Sequence, residues 1–246
     1  MKTNFPAPEI WFADADRKKM EETASALRER GVSSVVLAGE DLLRVPARTL
    51  VTSFTFGDSE LVAQSEGSEL TIAYDMSFAG VFAKPPSGVT QSPRKVGSLA
   101  SDLGRPSTSV MMDRLSGAAA AGSITAEREA TAFLDLYGSF GGEERRVSFV
   151  DRATDFSGLV SRTRDVLTSI VAECERRFAS LEIDRRLENI RPRQSATVAG
   201  PHSGHEKRKL FAYGTVALSQ LLEAISPELK DLTQYELGSR LSFLME

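Results

Sequence analysis

The 246 residues carry a formal net charge of −4, with 41% hydrophobic and 26% charged side chains, which fits a protein able to bury a substantial core and excludes a wholesale polyanion binder. One cysteine, Cys174, excludes a disulfide scaffold and any multi-cysteine metal site within the chain. No run approaches the ~20 apolar residues that span a bilayer, and the first acids follow no apolar leader stretch, so a cytoplasmic protein without membrane contact is expected.

The first third alternates in period. Ile10 to Ala13 reads as a buried strand, and "RKKMEETASALRER" as a helix with Met20, Ala24 and Leu27 on one face, closed by Gly31. "SSVVLAG" reads as a second strand, "EDLLRV" as a turn of helix and "TLVTSFTF" as a third strand. "DSELVAQSE" then suggests a short helix, and "LTIAYD" and "GVFA" two more strands. Strands alternating with helices argue for a doubly wound parallel sheet, an α/β domain over residues 1–86. "KPPSGVTQSPRK" changes the texture, and its Pro, Ser and Gly mark a linker at 87–95. Residues 96–246 read as a mainly α-helical domain with one strand at "RRVSFVD".

Open parallel sheets collect ligands at the carboxyl ends of their strands, which is where Asp14 and Asp16 fall. Asp16 also directly precedes a helix, where a carboxylate caps free N–H groups. "IWFADADRKKMEETASALRERGVSSVVLAG" resembles the opening of response-regulator receiver domains. The resemblance implies that Asp14 and Asp16 bind Mg²⁺ beside a phosphoacceptor, Asp58 after the third strand, with Lys84 and Pro85 of "AGVFAKPPSG" at the phosphoryl group. Ala15 separates acids that the family keeps adjacent, Gly57 precedes Asp58, and the stretch from Asp58 to Lys84 is too short for the family's strand, helix and strand. A degenerate, non-phosphorylated pseudo-receiver used for contacts is therefore the expectation.

"VGSLASDLGRPSTSVMMDRLSGAAAAGSI", residues 96–124, resembles a helix-turn-helix, and "GGEERRVSFVDRATDFSGLVSRTRDVL" the wing of winged-helix regulators. That likeness implies double-stranded DNA as a partner. Ser107, Thr108 and Ser109 would meet phosphates or base edges, and Arg105, Arg114, Arg145 and Arg146 the DNA backbone. Between 84 and 125 the chain holds Lys84, Arg94, Lys95, Arg105 and Arg114 against Asp102 and Asp113, a local positive balance. The same stretch also suits a packing helix after a receiver.

Other motifs carry less. "SPRK" meets Ser-x-x-Lys without companion motifs, His202 and His205 lack a clear third metal ligand, and no phosphate-binding glycine loop occurs. Cys174 lies at helical spacing from Ile170 and Phe178 and reads as a buried hydrophobe. A helix over about 157–180 suits a helical core or a homodimer seam equally. Leu210, Ala217, Leu221 and Ile225 form a second stripe, and Leu229, Leu232, Leu241 and Leu244 a third, opened by Ser226 and Pro227. The chain thus reads as a non-catalytic signalling or transcriptional regulator with DNA or a protein as partner. The alternatives are an α/β enzyme using Asp14, Asp16 and Asp58 around Mg²⁺ for phosphoryl chemistry, and an assembly or scaffold protein.

Overall fold

A computed structural model describes residues 7–86, 131–140, 142–157, 165–188, 190, 195–200, 212–230 and 232–245. The stretches expected as a linker at 87–95 and as a helix-turn-helix at 96–124, and both histidines, lie outside the described residues.

The N-terminal elements follow local chemistry. Strand β1 is short, Phe12–Ala13, and helix α1 runs Arg17–Glu29. Asp16 caps α1 by accepting from the Lys19 amide at 3.3 Å, and Gly31, at φ +78°, turns the chain out of the helix in the left-handed region that glycine tolerates. Helix α2, Gly39–Arg44, is fixed at its start by the Asp41 carboxylate, which accepts from the Ala38 amide at 2.8 Å.

Strands β2 (Arg48–Phe56), β3 (Glu60–Ser65), β4 (Ser68–Ala73) and β5 (Ser77–Lys84) follow. Strands β6 (Phe133–Phe140) and β7 (Glu143–Val150) precede helix α3, Val166–Arg177, and strand β8, Ser180–Glu188. These form a seven-stranded sheet in the order β4-β3-β2-β7-β6-β5-β8. Strands β9 (Ser195–Gly200) and β10 (Ala212–Ala217) join β1 in a second sheet, ordered β1-β9-β10. Helices α4 (Leu218–Ile225) and α5 (Gln234–Leu244) close the described chain, with a 3₁₀ turn at Pro227–Leu229 between them.

The protein is α/β, but its main sheet differs from a doubly wound parallel one. Only β2–β7 and β5–β8 run parallel, and the other four neighbouring pairs are antiparallel. The stretch expected as a helix at 58–66 is strand β3, because Leu61 and Ala63 alternate inward while Gly57 and Gly67 turn the chain at each end. Residues 33–38, expected as a strand, run without a strand partner. Among the described residues after 96 five elements are strands, and "FLDLYG", within the stretch expected to be mainly helical, lies in β6. β6 is buried on both faces, so its apolar run has no period to mark it as a strand. The sheet also draws β5 from before residue 86 and β6 and β8 from beyond it, so strands on both sides of the expected boundary share one layer.

The core has two parts. Against one face of the main sheet lie Leu167, Ile170, Val171 and Cys174 of α3, packed on Val51, Phe54, Leu61, Leu134 and Phe149. Cys174 is fully buried, and burial pushes its thiol pKa up, as its hydrophobic spacing implied. The expected helix at 157–180 is shorter, Val166–Arg177. Against the other face lies α5, whose Phe243 stacks on Tyr137 with ring centroids 4.4 Å apart. Leu237 and Leu241 of the same helix join Leu42, Leu218, Leu222 and Leu229 in the second cluster. Each such buried leucine contributes about 2 kcal/mol of transfer free energy, so the cluster helps hold α5 to Leu42 of α2 and to the helix and turn that precede it.

Candidate functional site

The acids singled out by the receiver likeness are already engaged. Asp14 accepts from Lys19 Nζ at 2.7 Å and from the Asp16 amide at 3.0 Å. The Lys19 hydrogen bond first, then the amide, holds its carboxyl below the usual range. Asp16 is the α1 cap. Asp58 is exposed in the β2–β3 turn, in a different sheet from β1; that turn is held by Arg177, whose Nη1 donates to the Gly57 carbonyl at 2.6 Å. Lys84, at the end of β5, pairs with Asp165, the α3 cap. Among the described residues no three His, Cys, Asp or Glu side chains gather where they could hold a metal ion, so Asp14, Asp16 and Asp58 do not converge into one. Beside Asp14 lies a hollow of ≈ 40 Å³ lined by Phe12, Ala13, Lys19, Met20 and Thr23, which has room for little more than water.

The expected DNA contacts divide. Arg105, Ser107, Thr108, Ser109 and Arg114 lie outside the described residues. Arg145 and Arg146 sit together on β7, where successive side chains point to opposite faces. Arg145 is half-buried and pairs with Glu143 at 2.7 Å, whereas Arg146 is 1% exposed and turned into the protein. As a correction, Arg146 is not placed to meet a phosphate at a wing.

Arg146 instead belongs to a cluster that the sequence did not announce. The parallel register of β2 and β7 sets Arg48 directly opposite Arg146, two like charges side by side. Asp135, on the neighbouring β6, resolves the conflict. Its Oδ2 accepts from Arg146 Nη2 at 2.6 Å and from Arg48 Nη2 at 3.2 Å. Ser148 donates to Oδ1 at 2.5 Å, and Ser239 of α5 donates to Oδ2 at 2.6 Å. Tyr137 Oη lies 2.8 Å from Ser239 Oγ, and Glu236, also on α5, pairs with Arg48 Nη1 at 2.6 Å.

The electrostatics follow from the burial. Asp135 is fully buried, which on its own raises its pKa; Arg146 and Arg48 overcome that and hold it at about 2. Burial pushes the Tyr137 hydroxyl far above its ordinary value, and the Asp135 charge adds to the rise. Both groups therefore keep one protonation state through the neutral range, Asp135 ionised and Tyr137 neutral. The arrangement fixes charge in place rather than moving protons, and it clamps α5 to the sheet through Ser239 and Glu236. Its sequence signal was a lone Asp in "AFLDLYGSF" and the small residues Gly238, Ser239 and Ser242 on one side of α5, all three buried.

The outer surface shows the opposite chemistry. The large hydrophobic side chains exposed among the described residues are Trp11, Phe12, Val32, Val35, Leu43 and Leu50, all within residues 11–50. Comparison with known families, with curated proteins and with solved structures finds no match for this chain.

Proposed function

We propose that the chain is a non-catalytic contact protein, a regulator or assembly component that engages other proteins through the face built from residues 11–50. The observation that carries this reading is the concentration of exposed apolar side chains in that one segment, from Trp11 to Leu50. Singly scattered apolar residues are normal on a surface; six falling within forty residues of sequence are what favours a contact region there. The engagement of Asp14 by Lys19 and of Lys84 by Asp165 supports a contact use over phosphoryl transfer, since each group would have to give up an ion pair to meet Mg²⁺ or a phosphoryl group. Duplex DNA contacts by Arg105, Ser107, Thr108, Ser109 and Arg114 remain part of the same regulatory reading, as does a cytoplasmic site of action.

Oxidative footprinting tests it. Hydroxyl-radical labelling of the full chain is compared between the purified protein and an extract of its native cells. The reading expects Trp11, Phe12, Leu43 and Leu50 to lose reactivity in the extract while an exposed control such as Lys230 does not. Equal labelling of all four in both settings would refute a contact role for this face.

A further inference from the structure

The clamp holds more positive charge than it neutralises. Arg240 of α5 lies close enough to feel the charges of Arg146, Arg48 and Glu236. With it, three guanidinium groups, Arg48, Arg146 and Arg240, share the two carboxylates of Asp135 and Glu236.

Both carboxylates are spent on other groups. Asp135 accepts from Ser148 at one oxygen and from Arg146, Arg48 and Ser239 at the other. Glu236 stands one turn before Arg240 on the same helix, the position from which a glutamate commonly pairs with a cation. Its Oε1 instead accepts from Arg48 Nη1, and its Oε2 from the Thr233 amide at 2.8 Å. Asp41, beside Leu42, is also taken, accepting from the Ala38 amide and from Arg44.

Arg240 is thereby left with one edge of its guanidinium open. Its Nη1 donates at 2.8 Å to the Leu42 carbonyl, one of the last-turn carbonyls of α2 that have no acceptor role within the helix. Nε is buried, and neither it nor Nη2 has a partner among the described residues. These two N–H groups point the same way and form the planar fork that fits two oxygens of one carboxylate or phosphate. Arg48 and Arg146 also bury an Nε without a partner, but each spends its Nη2 on Asp135, so neither keeps that fork whole. Arg240 is half-buried, which leaves it within reach of solvent while water screens its charge only in part. Burial first, then the Arg146 charge, pulls its pKa down, as expected of a cation placed where negative charge is short.

We infer that the Nε and Nη2 edge of Arg240 is the fork of a binding site for a small oxyanion, a carboxylate or phosphoryl group, drawn there by the surplus charge that Arg240 shares with Arg48 and Arg146. The bound group supplies the negative charge that the two carboxylates do not, and it holds Arg240 in the orientation that ties α5 to the Leu42 carbonyl of α2. Such a site goes beyond the contact role, which needs no ligand at this edge.

NMR titration of the full chain tests it, with inorganic phosphate and acetate added separately and chloride holding the ionic strength constant. The line width of either anion is expected to broaden saturably, and the anion that binds more tightly names the ligand class. Arg240→Lys keeps the charge but replaces the fork by a single ammonium, and it is expected to weaken Kd roughly tenfold, about the worth of one charge-assisted hydrogen bond. Glu236→Gln removes one of the two competing carboxylates and should tighten binding, a gain that a loosened fold would not produce. No saturable broadening with either anion overturns the proposal, as does either variant, folded by circular dichroism, binding as the wild type does. If Arg240→Lys does not fold, Glu236→Gln decides alone. None of these outcomes bears on the footprint of residues 11–50, so the failure of one reading leaves the other to its own test.

Discussion

Replacing Asp135 by Asn isolates what the buried cluster contributes. The substitution keeps the side chain's size and one acceptor oxygen but removes the charge that faces Arg146 and Arg48 at 2.6 and 3.2 Å. The carboxyl itself, held at about 2 against 3.8, corresponds to on the order of 2 kcal/mol by which the folded state favours the ion. The larger effect is on the partner. Arg146 is 1% exposed, and removing one member of a buried pair typically costs about 3–5 kcal/mol because the other charge stays buried without compensation. Against a total stability of about 5–15 kcal/mol, this is a large fraction, and it should lower the urea midpoint by about 1–2 M. The companion Asp135→Leu, Arg146→Met removes both charges and should recover most of the loss, since apolar groups of similar size often replace a buried pair at little cost. Urea unfolding followed by circular dichroism gives both numbers. An Asn variant within about 1 kcal/mol of wild type, or a double variant as weak as the single one, would refute the view of this cluster as a clamp whose members depend on each other.

The same carboxyl predicts an acid limb. Its folded pKa is depressed, so its contribution is complete above about 4, where the unfolded acid is ionised, and is lost as pH falls toward about 2; urea midpoints stepped through that window should fall more steeply in wild type than in Asp135→Asn, and parallel slopes would count against it. Gly238→Ala tests the close approach of α5 to β8, because a Cβ there would sit 2.7 Å from Cδ2 of the fully buried Leu187. Overpacking of about 1–3 kcal/mol should outweigh the helix-propensity gain of about 1 kcal/mol, and a variant as thermostable as wild type would show that Leu187 gives way freely.

How much of this was legible depended on whether a residue's structure is decided by its neighbours in sequence. The Asp16 cap, the Gly31 stop, α3 with its buried Cys174 and the strand at "RRVSFVD" all follow from local pattern, and each appears in the fold. "ELVAQS" is short enough to suit either period, and its pairing with β2 and β4 makes it strand β3 rather than the expected helix. The segment at 33–38 shows the converse, since strong strand propensity makes no strand without a partner to pair with. The charged cluster was invisible for a different reason. Arg48, Asp135, Arg146 and Glu236 are separated by up to 188 residues, and a charged side chain in a sequence reads as solvated until the topology encloses it.

The mixed sheet links these outcomes. The parallel β2–β7 pairing that departs from the receiver likeness is also what sets Arg48 against Arg146 and so requires an acid on the adjoining strand. With Asp135 in that place, α5 is bound by Ser239 and Glu236 and covers the face of the sheet near β6. Asp135, Arg146 and Ser239 are thereby buried, while Trp11, Val35, Leu43 and Leu50 of residues 11–50 stand in solvent. A buried Asp135–Arg146 pair and apolar side chains left in solvent are the two features on which the proposed contact role rests.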